Sequence, residues 1–307
     1  MSEWNECRIG KVVTLRQGLC INSKTKHLLA NKGHVLLRIT DLINGTEIQY
    51  IDENIPKKFL ATKKDLIFSR TGQVGLVFKG REGVVYNNCF TVSPTEEIDS
   101  DYLYWFLKTK FAYDYANGVA SGAAQLDLNH DSFRSMYISY PEKKVQQQIA
   151  SILTAYDNLI ETNNQRIATL EQLAQQIYKE WFVRMRFPGW EHTPHHHGIP
   201  DGWKIEDLGE IITLEYGKSL VQESRLDGSI PVYGSSGMVG FHNKSLVNSP
   251  GIIVGRKGNV GAIHFVNQPF YPIDTVFYVV PKVQNWFFLF FILKTKILLI
   301  PMPQFQG

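Results

Sequence analysis

Between residues 142 and 186 the chain has neither proline nor glycine, and its apolar positions recur at heptad spacing. Ile149, Tyr156, Leu170 and Ile177 fall on one line, and Ile152, Leu159 and Leu173 on the next. Leu153, Ile160, Ile167, Ala174 and Trp181 widen the stripe. Such a stripe predicts a helix that buries itself against a partner helix and more besides. Asn163 falls on the first line, where a polar side chain fixes register at some cost in stability. At about 1.5 Å per residue the helix runs roughly 60 Å, longer than one module of this size needs. A core helix packed only on its own domain is the alternative.

Outside this helix the pattern is short and mixed. Residues 65–68 and 75–78 read as strands around the turn Arg70-Thr71-Gly72-Gln73-Val74-Gly75, whose glycines suit positive φ. Residues 89–92 read as a third strand. Asp99-Ser100-Asp101 then reads as the cap of an aromatic helix over 102–109. Short strands interleaved with helices predict an α+β module.

That module occurs twice. Trp4, Gly10 and Gly18 match Trp203, Gly209 and Gly217, 199 positions later. Further on the offset is 186: residues 67–75 match 253–261, and Leu107-Lys108-Thr109-Lys110 matches Leu293-Lys294-Thr295-Lys296. The predicted fold class is therefore α+β, with two repeated mixed α/β domains separated by a long coiled-coil-forming helix. The boundaries are 1–141 for the first domain, 142–186 for the helix, 187–202 for a Pro/Gly-rich linker and 203–307 for the second domain.

Composition narrows the class. With 307 residues, 44% hydrophobic, the chain can build two cores of about 100–150 residues each. A net charge of +3 permits a nucleic-acid partner without requiring one. The cysteines Cys7, Cys20 and Cys89 lack disulfide or zinc spacing and read as small buried thiols. The polar opening, Met1 to Glu6, has no signal-peptide pattern. The most apolar run, 286–293, is followed by Lys294 and Lys296 and falls short of the ~20 residues a span needs. A buried helix, no membrane and a cytoplasmic location follow. His195-His196-His197 are consecutive and cannot converge on one ion; they read as a solvated linker, so no metal is expected.

Catalytic signatures fail one by one. Gly217-Lys218-Ser219 resembles the end of a phosphate loop, but Ile212 stands where the earlier glycine belongs. The glycine-rich 255–261 is the turn of the repeat, not a dinucleotide fingerprint. No amino-methyltransferase motif, spaced nuclease constellation or serine elbow stands out. No catalytic residue is assigned, and a non-enzyme is expected.

What remains is chemistry suited to nucleic acid. Arg70 and Arg256 share a repeat position, and Gln73 and Asn259 sit in the same turn. Arginine can bond guanine O6 and N7, and Gln or Asn adenine N6 and N7. Lys24, Lys26, Lys79, Arg81, Lys218 and Lys244 are candidates for phosphate contact, and Lys257 is a further DNA-binding candidate. For each residue alone a solvated surface position is the competing reading, and for the two arginines a structural role in the turn.

At this point the chain resembles the specificity subunit of type I restriction-modification systems. The resemblance rests on the tryptophan-led start, the 70–75 turn and Leu126-Asp127-Leu128-Asn129-His130-Asp131-Ser132-Phe133. It continues through Tyr140-Pro141-Glu142 into the helix, then Phe187-Pro188-Gly189 and Gly198-Ile199-Pro200-Asp201-Gly202-Trp203. It implies two target-recognition domains that read the halves of a split double-stranded DNA site, and adds Asn129 to the DNA-binding candidates. It implies partners as well: modification subunits that hold S-adenosylmethionine, and a restriction/translocase subunit that uses ATP and Mg. No cofactor is expected on this chain itself.

At the 186 offset Gly307 falls on Ser121, so the second copy lacks a counterpart of 122–141 and reads as truncated. The helix stripe is then expected to have no partner within the chain and to be free to pair with the same helix, 142–186, of a second copy. The competing readings are a duplicated-domain protein-interaction scaffold and an inactive, truncated specificity subunit.

Overall fold

A computed structural model describes residues 4–122, 125–248 and 250–297. Two compact units meet inside the long helix, at Asn164 and Gln165. The tail over 298–307, expected to be altered, lies outside the described residues.

In the first unit the strands are β1 (Asn5–Arg8), β2 (Val13–Gln17), β3 (Leu29–Ala30), β4 (His34–Leu37), β5 (Tyr50–Ile51), β6 (Leu60–Ala61), β7 (Leu66–Ser69), β8 (Val77–Phe78), β9 (Gly83–Val85), β10 (Cys89–Pro94) and β11 (Tyr137–Tyr140). The helices are α1 (Ile39–Asn44), α2 (Ser100–Leu107), α3 (Lys110–Val119), α4 (His130–Arg134) and the start of α5 (Lys143–Tyr178). An antiparallel sheet of order β2-β10-β7-β8 carries the main core. β7, buried at all four positions, and the apolar face of α2 make it. Phe68, Phe90 and Phe133 are fully buried, with ring centroids 4.9–5.6 Å apart, within the range where aromatic pairs add about 0.5–1.5 kcal/mol beyond burial. A smaller sheet, β3-β5-β4-β9-β6, lies alongside and contains the parallel pair β4–β9. α2 starts where the cap was predicted: Asp99 accepts from the backbone N–H groups of Asp101 and Tyr102.

The second unit repeats the plan with α6 (Leu208–Ile211), β14 (Ile212–Tyr216), β15 (Ile230–Gly234), β16 (Gly237–His242), β17 (Gly251–Gly255), β18 (Ile263–Val266), β19 (Tyr271–Pro272), β20 (Val276–Pro281) and α7 (Trp286–Ile297). Ahead of them a ribbon of β12 (His195–His196) and β13 (Ile199–Pro200) leaves the histidines exposed. The main sheet has the order β14-β20-β17-β18, again antiparallel. The smaller one, β16-β15-β19, keeps a parallel pair. The apolar run at 286–293 is the helix α7, whose Leu289 and Leu293 are buried at the positions of Leu103 and Leu107 in α2.

The glycines that revealed the repeat have a common physical cause. A Cβ on Gly18 would lie 2.3 Å from the Tyr86 carbonyl oxygen, and one on Gly217 2.0 Å from that of Ile273. The next residue makes the same bond in each unit: the Leu19 N–H donates to the Val85 carbonyl and the Lys218 N–H to that of Pro272. Only glycine lets the two sheets approach so closely.

α5 begins after Pro141, as the pattern predicts, but its α-helical part ends at Tyr178. A π turn, Lys179–Val183, and the left-handed Met185 follow. Its stripe also departs from expectation. Ile149, assigned to helix pairing, packs on the core of the first unit. The buried Gln146 anchors that end, accepting from the Asp99 N–H and donating to the carbonyls of Glu97 and Pro141. In the second unit Tyr178 and Phe182 pack on Phe288 and Phe291 of α7. Both ends of the stripe thus have partners within the chain, because each approaches an aromatic or apolar helix of its own unit. Ile152, Tyr156, Leu159, Leu170 and Leu173 remain at least half exposed. Cys20 is exposed, against expectation, while Cys89 is buried. No helix among the described residues is long and apolar enough to cross a membrane.

Candidate nucleic-acid interface

The turn between β7 and β8 and the turn between β17 and β18 have the same construction. Gly72 and Gly75 have φ of 85° and 96°, and Gly258 and Gly261 have 73° and 80°. Left-handed backbone at both glycines makes the turn tight. The Gly75 N–H bonds the Ser69 carbonyl and the Gly261 N–H bonds that of Gly255. The backbones of Arg70 and Thr71 donate to Asn88, and those of Arg256 and Lys257 to Thr275.

The two arginines brace these turns from inside. Arg70 donates to both carboxylate oxygens of Asp127, at 3.2 and 2.5 Å, and its Nη1 donates to Gln17 Oε1 at 3.0 Å. Thr71 Oγ1 donates to the same carboxylate. Burial disfavours the Asp127 charge, but the bonds from Arg70 and Thr71 and the charge of Arg70 outweigh it, holding the carboxyl below its usual range. The chain at Asp127 is stitched to the turn through Gly72 N–H to Leu126 O and Leu128 N–H to Arg70 O. Arg256 donates instead through Nε and Nη2 to the Asp274 carbonyl, and it lies over the rings of Tyr216 and Phe277. Tyr216 occupies the repeat position of Gln17, so one site supplies a hydrogen bond in one unit and a cation–π face in the other.

Other candidates are similarly divided between framework and surface. Asn129 caps α4, accepting from the Ser132 N–H at 2.7 Å. Lys79 pairs with Asp101 and lies over the Tyr104 ring. Lys257 pairs with Asp274 at 3.4 Å. Gln73 and Asn259 are exposed at the apices of the two turns, Lys24, Arg81, Lys218 and Lys244 are exposed on loops, and Lys26 is exposed at the start of a 3-10 turn, Lys26–Leu28. Turn residues thus come together in each unit, while the remaining lysines are scattered. Sequence reasoning missed Gln17, Asp127, Tyr216 and Asp274 as partners. Only the repeat offset linking Gln17 to Tyr216 could have indicated one of them.

His130, next to Asn129, stacks edge-on against Phe90, and its Nε2 is buried with no hydrogen-bond partner among the described residues. Burial and the charges of Arg70 and Arg134 push its imidazole below the usual range. A neutral ring that rests on the core is a packing element. Among the described residues no cluster of His, Cys, Asp and Glu is arranged to hold a metal ion.

Comparison with known proteins bears on both units. The family model for the type I restriction modification DNA specificity domain matches residues 1–172 and 200–304. The chain is 28% identical over 165 residues to the MjaIX type I restriction enzyme specificity subunit of Methanocaldococcus jannaschii, covering 52% of this chain and 38% of that one. It is 28% identical over 193 residues to the HindI specificity subunit of Haemophilus influenzae, covering 60% and 41%. The matched stretches therefore span less than half the length of these relatives. The S subunit of the type I restriction-modification system from M. genitalium has a similar fold, with a TM-score of 0.61 at 18% identity over 96% of this chain and 78% of that one. With both repeats inside the matched region, the chain belongs to the type I restriction modification DNA specificity domain family.

Proposed function

We propose that this chain recognises a bipartite double-stranded DNA site as the specificity subunit of a type I restriction-modification complex. The observation that carries this reading is the family match over both repeats, each with a tight glycine turn presenting an exposed amide side chain. Arg70 and Arg256 hold the turns, Gln73 and Asn259 read base edges, and the exposed lysines and Arg81 contact phosphate. Lys79, Lys257 and Asn129 stand closer to the framework in this scheme.

The chain itself is non-catalytic and binds no cofactor. S-adenosylmethionine belongs to modification subunits, and ATP and Mg to a restriction/translocase subunit. These partners dock along α5, where Ile152, Tyr156, Leu159, Leu170 and Leu173 lie exposed around Asn163. The same stripe is available to α5 of a second copy. The functional domains of this scheme are 1–141 and 203–307, with the helix at 142–186 and the linker at 187–202.

Duplex binding under a salt titration, with the purified chain alone and with modification subunits, tests the reading. The logarithm of the affinity is expected to fall linearly with the logarithm of salt concentration, with a slope of about 0.9 per phosphate contact. No duplex retention at low salt, with partners present, would overturn it in favour of a protein-interaction scaffold.

A further inference from the structure

The two glycine turns stand on the same backbone base. The Ser69 N–H donates to Leu76 O and the Gly255 N–H to Ala262 O, each at 2.8 Å. The bonds of Gly75 to Ser69 and of Gly261 to Gly255 close the turns at 3.1 and 2.9 Å. The residue under the apex differs, however. It is the fully buried Ser69 in the first unit and the buried Gly255, which has no side chain, in the second.

That difference changes how each apex is held. In the first unit the Ser69 hydroxyl accepts from the Leu76 N–H at 2.8 Å and donates to the Gln73 carbonyl at 2.5 Å. In the second unit the equivalent groups meet directly, the Ala262 N–H donating to Asn259 O at 3.2 Å. A Cβ on Gly255 would lie 2.1 Å from Asn259 O and 3.3 Å from Ala262 N, so the carbonyl fills the place of a side chain. To admit one, it would have to withdraw by roughly 1 Å or more, to ordinary van der Waals distance. The second apex is also drawn in on itself, with the Val260 N–H donating to Gly258 O at 2.9 Å in a three-residue turn around Asn259. The exposed amides follow the same order: the propped turn carries Gln73 and the closed turn the shorter Asn259.

We infer, resting on the proposed reading of bases by Gln73 and Asn259, that residues 69 and 255 are positioning residues for that reading. A buried hydroxyl at this position is a spacer that sets how far the apex projects towards the duplex, and glycine withdraws it. The hydroxyl touches the backbone carbonyl of the apex and not its side-chain amide, so the amide stays free to vary. A hydrogen bond to a base edge holds over only about 2.7–3.2 Å between heavy atoms, so a displacement of roughly 1 Å decides whether it forms. Each unit can therefore be retuned at two places, the amide that faces the base and the buried residue that sets its height.

The test selects sites from a randomised duplex library with the full chain and its modification subunits, comparing the parent with Ser69→Gly, Gly255→Ser and Ser69→Ala. Ser69→Gly lets the Leu76 N–H and Gln73 O meet directly and should change base preference within one half-site by about fivefold or more. Gly255→Ser should do the same within the other half-site alone. Ser69→Ala keeps the Cβ that excludes the carbonyl but leaves both backbone groups without the hydroxyl. It should lower the melting temperature while holding base preference within about twofold of the parent, which separates a spacer from a serine that only stabilises. Should Gly255→Ser fail to fold, Ser69→Gly, which adds no atoms, still decides. A shift in preference with Ser69→Ala equal to that with Ser69→Gly would overturn the inference. Parental preference retained by Ser69→Gly would sink this inference alone, whereas a parent that selects no sequence would sink the proposed reading of DNA and this inference with it.

Discussion

Gly18 and Gly217 hold the joint between the two sheets of each unit, and replacing either with alanine tests whether that joint is what the repeat preserves. The new methyl carbon at position 18 would lie 2.3 Å from Tyr86 O, 2.6 Å from Tyr86 C and 2.8 Å from Cys89 O. At position 217 it would lie 2.0 Å from Ile273 O and 2.7 Å from Pro272 O. All are backbone atoms, which cannot swing aside as a side chain tip can. Relief requires the strands to part, at roughly 1–3 kcal/mol for overpacking. The adjoining bonds, Leu19 N–H to Val85 O at 2.7 Å and Lys218 N–H to Pro272 O at 3.0 Å, would be strained by about 1 kcal/mol more. A loss of about 3 kcal/mol lowers the melting temperature of a unit this size by roughly 6–12 °C. Differential scanning calorimetry of Gly18→Ala and Gly217→Ala measures it. Gly209→Ala is the matched control: it sits in α6 with nothing within 4 Å, so alanine is expected to be neutral or to stabilise by up to about 1 kcal/mol. Gly18→Ala melting within 1 °C of the parent (~0.3 kcal/mol), or Gly209→Ala losing as much as Gly217→Ala, would refute the close-approach account.

Three other substitutions probe the framework of the first unit. Asp127 has its folded pKa lowered, so its contribution to stability is complete above the unfolded carboxyl range near pH ~4 and is lost as the pH falls through the lowered folded value. Asp127→Asn should therefore flatten the acid limb of stability against pH, seen by urea melts across that range; an unchanged limb would contradict the clamp. Arg70→Ala removes three side-chain hydrogen bonds at a site whose side chain is 19% exposed and should cost about 2 kcal/mol. Gln73→Ala, at an exposed apex, should change stability by less than about 0.5 kcal/mol while lowering duplex affinity. Equal stability losses in the two variants would undo the division between brace and reader. Burial pushes the Cys89 thiol up to about 12, so a thiol reagent at neutral pH should modify exposed Cys20 quickly and Cys89 only after unfolding, as mass spectrometry of the labelled peptides would show.

Much of the fold could be read from local signals because the cause is local. The turn glycines announce positive φ, Asp99 announces its helix, and Pro141 precedes α5. The duplicated architecture was legible because Gly18 and Gly217, or Leu103 and Leu289, answer to the same contacts at matching positions. Less legible was everything set by distant partners. Gln146 reads as one more polar residue on a helix, yet it is fully buried because the Asp99 N–H and the carbonyls of Glu97 and Pro141 converge on it. The packing of Tyr178 on α7 crosses more than a hundred residues of sequence, so the stripe of α5 looked unpartnered along its whole length. At the interface the residue types were visible and their roles were not. Arg70 and Arg256 stood out by shared position, but only the geometry separates a guanidinium held inside from one offered outward.

The arginine position shows how a repeat can diverge without losing its construction. A tight turn with two left-handed glycines has few side chains of its own, so it needs support from outside its seven residues. In the first unit that support is ionic and hydrogen-bonded, from Asp127 and Gln17. In the second it is a backbone carbonyl and two aromatic faces, from Asp274, Tyr216 and Phe277. The side-chain partners have changed completely, while the bonds that close the turn, Gly75 N–H to Ser69 O and Gly261 N–H to Gly255 O, are the same in both units. What the frame keeps constant is the exposed apex at Gln73 and Asn259, and these two amides can differ in reach by one methylene without disturbing anything beneath them. A scaffold that isolates its apex from its packed base can change what it contacts at little cost in stability, which is the property that the proposed reading of DNA requires.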